Sequence, residues 1–194
     1  MKKLILFFVA VLFAANVSAE RGSWVMSGNI EIHTWNQSWT AYGSDSPSEG
    51  YHNSFLIAPN FQYFLTDRFS LGAEVLFETR NHSNWDNNRR NSFGAGVLGR
   101  YYFLKNQRFG IFGQANANAR FGSNDEADWT RFEVRITPGV QYFINSSWSL
   151  EARTTLLNFS SDREERHESA TWNSSSLFAG VNRHGFSFSV NFHF

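Results

Sequence analysis

Alternation of apolar and polar residues in eight separate segments is the feature that most constrains this chain. The last segment shows it most clearly: in "FSFSVNFHF" (186–194) every second residue is apolar, and Ser, Asn and His stand between them. A period of two places the apolar residues on one face of a β-strand. The sequence therefore predicts an all-β fold with strands at 23–36, 51–65, 69–80, 92–104, 109–121, 130–144, 148–160 and 176–194.

An internal repeat predicts how these strands connect. "YFLTDRFSL" (63–71), "YFLKNQRFG" (102–110) and "YFINSSWSL" (142–150) each contain an aromatic pair, a short polar link and a further aromatic residue. Such links are typical of tight hairpin turns. The remaining connections are longer and polar, and we predict loops there: 37–50, 81–91, 122–129 and 161–175. Short turns at one end and long loops at the other describe an eight-stranded antiparallel up-and-down β-barrel.

Two prolines predict irregularities in the wall of this barrel. Pro59 and Pro138 lie inside predicted strands. Because proline has no N–H group to donate to a neighbouring strand, we expect a bulge or a local break at each position.

The first 19 residues have the layout of a secretory signal peptide. "MKKLILFFVAVLFAANVSA" contains two lysines, an apolar run and small residues before Ala19. We therefore expect residues 1–19 to be removed and residues 20–194 to form the barrel domain. The mature chain then has 15 basic and 17 acidic residues, a net charge of −2, which disfavours a nucleic-acid partner. The absence of cysteine excludes disulfides and thiolate metal sites.

The chemistry of the polar face indicates that it lines the inside of the barrel. It carries Arg, Glu, Asn, Gln, Ser and Gly but no lysine, whereas a soluble barrel would present lysine and glutamate to water. Compact, forked hydrogen-bonding groups suit a confined interior in which charges must pair. We predict a lumen charge network of both signs, formed by Glu31, Glu74, Glu78, Arg80, Arg100, Arg120, Arg131, Glu133, Arg135, Glu151, Arg153 and Arg183.

The apolar face is then predicted to meet lipid, which makes the barrel a transmembrane one. Predicted strands of 12 or more residues exceed the roughly 5–6 residues usual in soluble sheets, and about 9–11 tilted residues cross a bilayer. Aromatic residues are expected at both edges of the apolar band. We expect Phe and Tyr near the short turns, and tryptophans near the loops: Trp35, Trp39, Trp85, Trp129 and Trp172. A soluble barrel of lipocalin type is the alternative.

With eight strands, repeated short turns and a terminal aromatic strand, the chain resembles the small outer-membrane β-barrels of the OmpX and OmpA-transmembrane-domain group. The resemblance covers the whole mature chain and implies a location in the outer membrane of a Gram-negative bacterium. We expect contact with outer-membrane lipids and lipopolysaccharide, with divalent ions, host surfaces and phage as alternatives at the long loops, and we expect a monomer. In such proteins the barrel-assembly machinery reads a C-terminal aromatic strand, and the matching residues here are Phe186, Phe188, Val190, Phe192 and Phe194.

Three classes of function remain open from the sequence, and we favour the first. It is a non-enzymatic barrel with a plugged polar lumen and a structural or surface-interaction role through its long loops, because eight strands enclose a space only wide enough for side chains. The second is a narrow ion channel. The third is a barrel enzyme that modifies lipid A or phospholipid.

The enzyme hypothesis requires a nucleophile and a base on one face, as the resemblance to lipid A deacylases would imply. His82 beside Ser83, and His184 with Ser187, fall on opposite faces of a strand and do not match this arrangement. No cofactor is indicated. The acidic stretch with Glu164, Glu165, His167 and Glu168 is typical of a solvated loop rather than a metal site.

Overall fold

The chain folds into one antiparallel β-barrel. The computed structural model describes residues 21–39, 48–82, 88–123, 127–166, 170–180 and 186–194. No helix among them is long and apolar enough to cross a membrane. The strands are β1 (Trp24–Trp39), β2 (Ser48–Phe64), β3 (Phe69–His82), β4 (Asn88–Lys105), β5 (Phe109–Ser123), β6 (Ala127–Phe143), β7 (Trp148–Thr154), β8 (Leu157–Arg166), β9 (Ala170–Ala179) and β10 (Phe186–His193).

These ten segments make eight spanning strands in an up-and-down arrangement. Strands β1 to β6 each pair with the next in sequence. Both β7 and β8 pair with β6, at different heights, so together they form the seventh spanning strand. In the same way β9 pairs with β8, and β10 pairs with β7, which makes β9 and β10 the eighth. The predicted eight-stranded barrel is confirmed.

The first and last strands close the barrel through a short ladder. Val25–Ser27 pair with residues 191–193. Next to them, Trp24 and Phe194 exchange two backbone hydrogen bonds of 2.8 and 2.9 Å. The ladder between β1 and β2, by contrast, runs from Trp24 to Trp39. The ladder that closes the barrel is therefore the shorter of the two ladders that β1 forms.

The short connections are hairpin turns capped by the side chain of the link, and they lie together at what we call the turn end. Thr66 accepts a hydrogen bond from the backbone N–H of Phe69 at 3.0 Å. Asn106 accepts from the N–H of Phe109 at 2.8 Å, and Asn145 accepts from that of Trp148 at 2.8 Å. Since Ser, Thr and Asn oxygens stabilise turns in this way, the sequence repeat is a repeated turn, as predicted.

The opposite end, which we call the mouth, differs from the prediction. The expected loop at 161–175 is mostly the β8–β9 hairpin, so the long-loop prediction is wrong there. The expected loops at 37–50, 81–91 and 122–129 begin and end in strand, and their middle residues lie outside the described part of the structure. Beyond the bilayer both faces of a strand meet water, so alternation ends there although backbone pairing continues.

Both prolines interrupt the wall as predicted. The β2–β3 ladder skips Ala58 and Pro59 and resumes in the same register. At Pro138 the neighbouring strand is split: Ile136 pairs with Leu157 of β8, whereas Gly139 pairs with Arg153 of β7. Two residues of β6 thus oppose three residues of the next strand, which is a β-bulge.

The outward face is apolar over a defined height. Val97 lies near its middle and is 64% exposed in the protein alone, as a lipid-facing side chain must be. The last outward apolar residue before the mouth is a phenylalanine on five strands, and the outward residues beyond it are polar: Phe77, Phe93, Phe121, Phe132 and Phe159. Near the turn end, rings pair at centroid distances of 4.9 to 5.5 Å: Trp24–Tyr63, Tyr101–Phe103 and Trp148–Phe192. The edge of the apolar band near the mouth is therefore formed by phenylalanine.

An arginine in the middle of this band should destabilise the folded barrel. We expect Val97→Arg to lower the free energy of unfolding in lipid vesicles by about 2–4 kcal/mol, because the charge is placed near the bilayer midplane. Urea titrations followed by tryptophan fluorescence measure this. The control is Ser161→Arg, which faces outward beyond Phe159 and should cost about 0–1 kcal/mol. Equal losses for the two variants would contradict the assigned position of the bilayer.

Candidate functional site: the lumen and mouth of the barrel

Aromatic side chains fill the lumen at the turn end, which corrects the prediction of an entirely polar inner face. Phe64, Tyr102, Phe112 and Phe143 form one buried cluster with Val25. The sequence repeat contains a pattern that could have predicted this aromatic cluster. Because adjacent residues of a strand point to opposite faces, each aromatic pair places one ring in lipid and the other in the lumen.

Two further features complete this aromatic layer. A side chain on Gly139 would overlap the ring of Phe112, so the absence of a Cβ atom there makes room for that ring. The ammonium group of Lys105 lies 4.4 Å from the centroid of Phe64 and covers the layer from outside, a cation–π contact. A second apolar cluster of Leu56, Ala58 and Leu76 also faces inward. The polar network therefore shares the lumen with apolar side chains.

Arg100 is the centre of the polar layer next to the aromatic one. Its guanidinium group forms two bonds to Glu151, of 2.8 and 3.1 Å, and two to Gln114, of 2.9 and 2.5 Å. It also lies 4.1 Å above the ring of Phe112. The side chains of Arg100 and Glu151 are 1% and 0% exposed. Such a pair is stable only when nearly every donor finds an acceptor, and this geometry meets that condition.

The middle layer contains a carboxylate held by amides. Glu74 accepts hydrogen bonds from Asn116 at 3.0 Å and from Asn118 at 3.3 Å. Asn60, the direct partner of Glu74 in the β2–β3 ladder, bonds Ser27 at 2.7 Å and Gln62 at 3.1 Å. These amides and hydroxyls were assigned to the inner face by alternation, but their partners across the lumen were not predicted.

A chain of alternating charges crosses the lumen above Glu74. Arg120 bonds Glu78 at 2.9 Å and also contacts Glu133. Glu133 in turn contacts Arg135 at 2.6 Å, and Glu78 contacts Arg80 at 2.7 Å. Arg153, nearer the turn end, lies 3.3 Å from Glu151 and donates to Ser187 at 3.0 Å. The structure thus brings most of the predicted charge network together in pairs.

Three members of the predicted network need separate comment. The side chain of Glu31 and residue Arg183 lie outside the described part of the structure. Arg131 pairs with Asp162 near the mouth, and Asp162 was not predicted because its segment had been assigned to a loop. Arg90, which bonds Glu164 at 3.2 Å, was missed for the same reason.

A partly enclosed cavity of about 200 Å³ lies at the mouth between β3, β4, β6, β8 and β9. Arg80, Arg90 and Arg131 line it together with Asp162 and Glu164. Trp129 and Trp172 add aromatic surface. The sequence predicted Trp129 at the aromatic edge of the apolar band. The structure places it at the lumen mouth instead. Its ring occupies the space over Gly122, where a Cβ atom would lie 2.5 Å from the indole.

A serine–histidine contact exists in the lumen, but it is sealed. The hydroxyl of Ser149 lies 2.8 Å from Nε2 of His193, and both residues are fully buried. A nucleophile must be reachable by its substrate, so this contact serves packing of the closing strand. Of the pairs weighed from the sequence, the side chain of His82 and residues Ser83 and His184 lie outside the described part of the structure.

The terminal strand has the two faces that its alternation predicts. Its outward residues in the apolar band include Phe188, which is 75% exposed, and the inward residues Asn191 and His193 are fully buried. Asn191 donates to Glu151 at 3.1 Å. The assembly signal implied by the resemblance comprises Phe186, Phe188, Val190, Phe192 and Phe194, of which Phe186, Phe188, Val190 and Phe194 are exposed. Its reading by the assembly machinery stays a prediction.

A closed eight-stranded barrel with an apolar exterior and a polar, side-chain-filled lumen agrees with the result of a family comparison. The model named outer membrane protein beta-barrel domain matches residues 4–194. The chain belongs to this family. The protein is thus an outer-membrane β-barrel of a Gram-negative bacterium.

A solved structure shares this fold. Outer membrane protein OprG from Pseudomonas aeruginosa aligns over 91% of this chain and 98% of its own, with 9% identity and a TM-score of 0.52. The N-terminal β-barrel domain of OprF from the same organism aligns over 90% of this chain and 99% of its own, with 14% identity and a TM-score of 0.45. Among curated proteins, none matches the sequence.

Breaking the most buried ion pair of this outer-membrane barrel should cost far more than breaking an exposed one. Glu151→Gln leaves Arg100 charged and buried, so we expect the free energy of unfolding to fall by about 3–5 kcal/mol. The control is Glu165→Gln, whose partner Arg163 is 63% exposed and whose pair contributes about 0–1 kcal/mol. Urea unfolding in detergent micelles measures both. Similar losses for the two variants would be incompatible with a desolvated Arg100 pair.

Proposed function

We propose that this protein is a non-enzymatic outer-membrane barrel whose lumen is plugged by its own side chains, with a structural role and a surface-interaction role at its mouth. The observation that carries the proposal is the series of side-chain layers across the lumen. The aromatic layer, the Arg100–Glu151 layer, the Glu74 layer and the Glu78–Arg120–Glu133 layer lie one above another. A solute would have to cross all of them.

The layers favour a plug over an ion channel because each is closed by different chemistry. Moving Arg100 aside would leave two desolvated charges in a medium of low dielectric, which is strongly unfavourable. Moving Phe112 or Tyr102 would not help, since the charged layer above remains. A conducting pathway would require several independent rearrangements at once.

The enzyme alternative has less support. Catalysis on lipid requires a nucleophile and a base within reach of the bilayer or of water. The Ser149–His193 contact, the one such pair among the residues whose side chains are described, is buried on all sides. Most charged side chains described in the lumen are paired with one another, which suits a structural role.

The partners we propose follow from the two surfaces. The apolar outer face contacts outer-membrane lipids, and the mouth is available to lipopolysaccharide, which surrounds outer-membrane barrels on the outer side. The barrel-assembly machinery is the proposed partner during biogenesis, through the terminal aromatic strand. A monomer without a nucleic-acid partner is sufficient for these roles.

A plugged lumen predicts an absence of steady ion conductance. In planar lipid bilayers the purified protein should give no stable single-channel steps. The double variant Arg100→Met with Glu151→Leu replaces one charged layer by apolar side chains, a change that buried ion pairs often tolerate. It should also be silent, because the remaining layers still close the lumen.

One result would contradict the plug. Steady conductance steps in the unmodified protein that disappear in Arg135→Ala or Glu133→Ala would show a narrow channel through the charge network. For the enzyme alternative, mass spectrometry of lipid A from cells with and without the protein is the test. Unchanged masses are expected, and a loss or gain of an acyl chain would overturn the non-enzymatic assignment.

A further inference from the structure

We propose that the cavity at the mouth binds a phosphate ester carried on a sugar, with Arg80 and Arg90 holding the phosphate and Trp172 contacting the sugar. This inference rests on the proposed surface role and gives it a ligand class. The cavity, of about 200 Å³, is smaller than the roughly 300–1,000 Å³ of pockets that enclose drug-sized ligands. It therefore suits one head group rather than a whole lipid or peptide.

The first argument is an accumulation of positive charge. Arg80 and Arg90 are direct partners in the β3–β4 ladder, and Arg120 and Arg131 are direct partners in the β5–β6 ladder. Like charges directly opposite each other destabilise a sheet. An anion between the arginines of such a pair would relieve this repulsion.

The second argument concerns the hydrogen-bond donors that remain. In the described residues, Arg80 donates to Glu78 through Nε and Arg90 donates to Glu164 through Nη1. A guanidinium group has five N–H donors, so both arginines retain donors for a further acceptor. Their side chains are 37% and 35% exposed, so a solute can reach them. Arginine pairs of this kind suit the geometry of a phosphate.

The third argument comes from the two tryptophans. The indole N–H of Trp129 is buried and has no acceptor among the described residues, although buried tryptophans usually donate a hydrogen bond. Because that nitrogen has almost no solvent-accessible surface, a ligand in the cavity meets the ring of Trp129 and not its N–H group. Trp172 is 72% exposed and offers a flat apolar surface at the same cavity. A phosphate alone would contact only the arginines, whereas a phosphorylated sugar would contact the arginines through its phosphate and Trp172 through its ring.

The ligand chemistry is tested by calorimetric titration of the purified, folded protein in phosphate-free detergent micelles. The probes are glucose 6-phosphate, inorganic phosphate and glucose. We expect saturable binding of glucose 6-phosphate, weaker binding of inorganic phosphate and none of glucose. Absence of saturable binding of both phosphate probes overturns the proposal, as does binding of glucose that equals that of its phosphate.

Variants test the residues. Arg80→Gln with Arg90→Gln should weaken glucose 6-phosphate binding by about tenfold or more, because charge-assisted hydrogen bonds are lost. Glu78 keeps Arg120 as a partner in this variant. The control Arg68→Gln with Arg108→Gln removes the same two charges at the turn end, where both residues are exposed, and should bind like the unmodified protein. Trp172→Ala should weaken glucose 6-phosphate binding and leave inorganic phosphate binding unchanged. Unaltered binding in the double arginine variant contradicts the proposed site.

Two sources of such an ester are separated by a second experiment. Immobilised lipopolysaccharide is compared with the same material after removal of its phosphates. Retention that requires both the phosphates and the two arginines identifies a lipid head group as the source. Binding of glucose 6-phosphate without retention by lipopolysaccharide identifies a soluble phosphorylated sugar. Because a failure to bind either one leaves the absence of conductance unchanged, it would refute the site without refuting the plugged barrel.

Discussion

The structure depends on one constraint, which is that backbone N–H and C=O groups have no water to bond with inside a bilayer. A sheet satisfies this constraint only when it closes on itself. Here the closure is made where Trp24 and Phe194 exchange backbone hydrogen bonds and Val25–Ser27 meet the end of β10. Closure gives the sheet an outer face in contact with lipid and an inner face separated from lipid. Alternate residues of each strand therefore lie in two different environments.

The small number of strands then determines what the inner face must contain. Eight strands leave room for side chains and little else, so polar groups in the lumen have to find partners among themselves. Arg100 is the clearest case, because Glu151 and Gln114 together satisfy most of its donors. Glu74 achieves the same with asparagine amides. At the turn end, rings also occupy the space, and Gly139 provides room for one of them.

Much of this fold can be predicted from the sequence because lipid imposes a period of two on every strand it touches. Strand number and facing follow from that period, whereas the hairpin turns follow from the repeated short polar links and the interruptions at Pro59 and Pro138 from the missing N–H group of proline. The period of two is lost beyond the bilayer, where β8 and β9 continue with polar residues on both faces. The sequence analysis therefore did not place Asp162 and Glu164 on the inner face of a strand. It also cannot assign partners across the lumen, since Arg100 and Glu151 are 51 residues apart. The prediction for Trp129 was wrong because residue type alone does not distinguish a position at the edge of the apolar band from one that lines the mouth of the lumen.

The same residue type has opposite roles at the two ends of the charge network. Deep in the lumen an unpaired arginine charge is strongly unfavourable, so Arg100, 1% exposed, is bonded by Glu151 and Gln114. A buried arginine can still have one donor without an acceptor among the described residues, as Nε of Arg120 has, but that nitrogen is not accessible to a solute. Near the mouth water screens the charge and lowers the cost of incomplete pairing, and Arg80 can be 37% exposed and bonded through one nitrogen. The arginine donors that a ligand can reach are therefore those at which the barrel meets the outside.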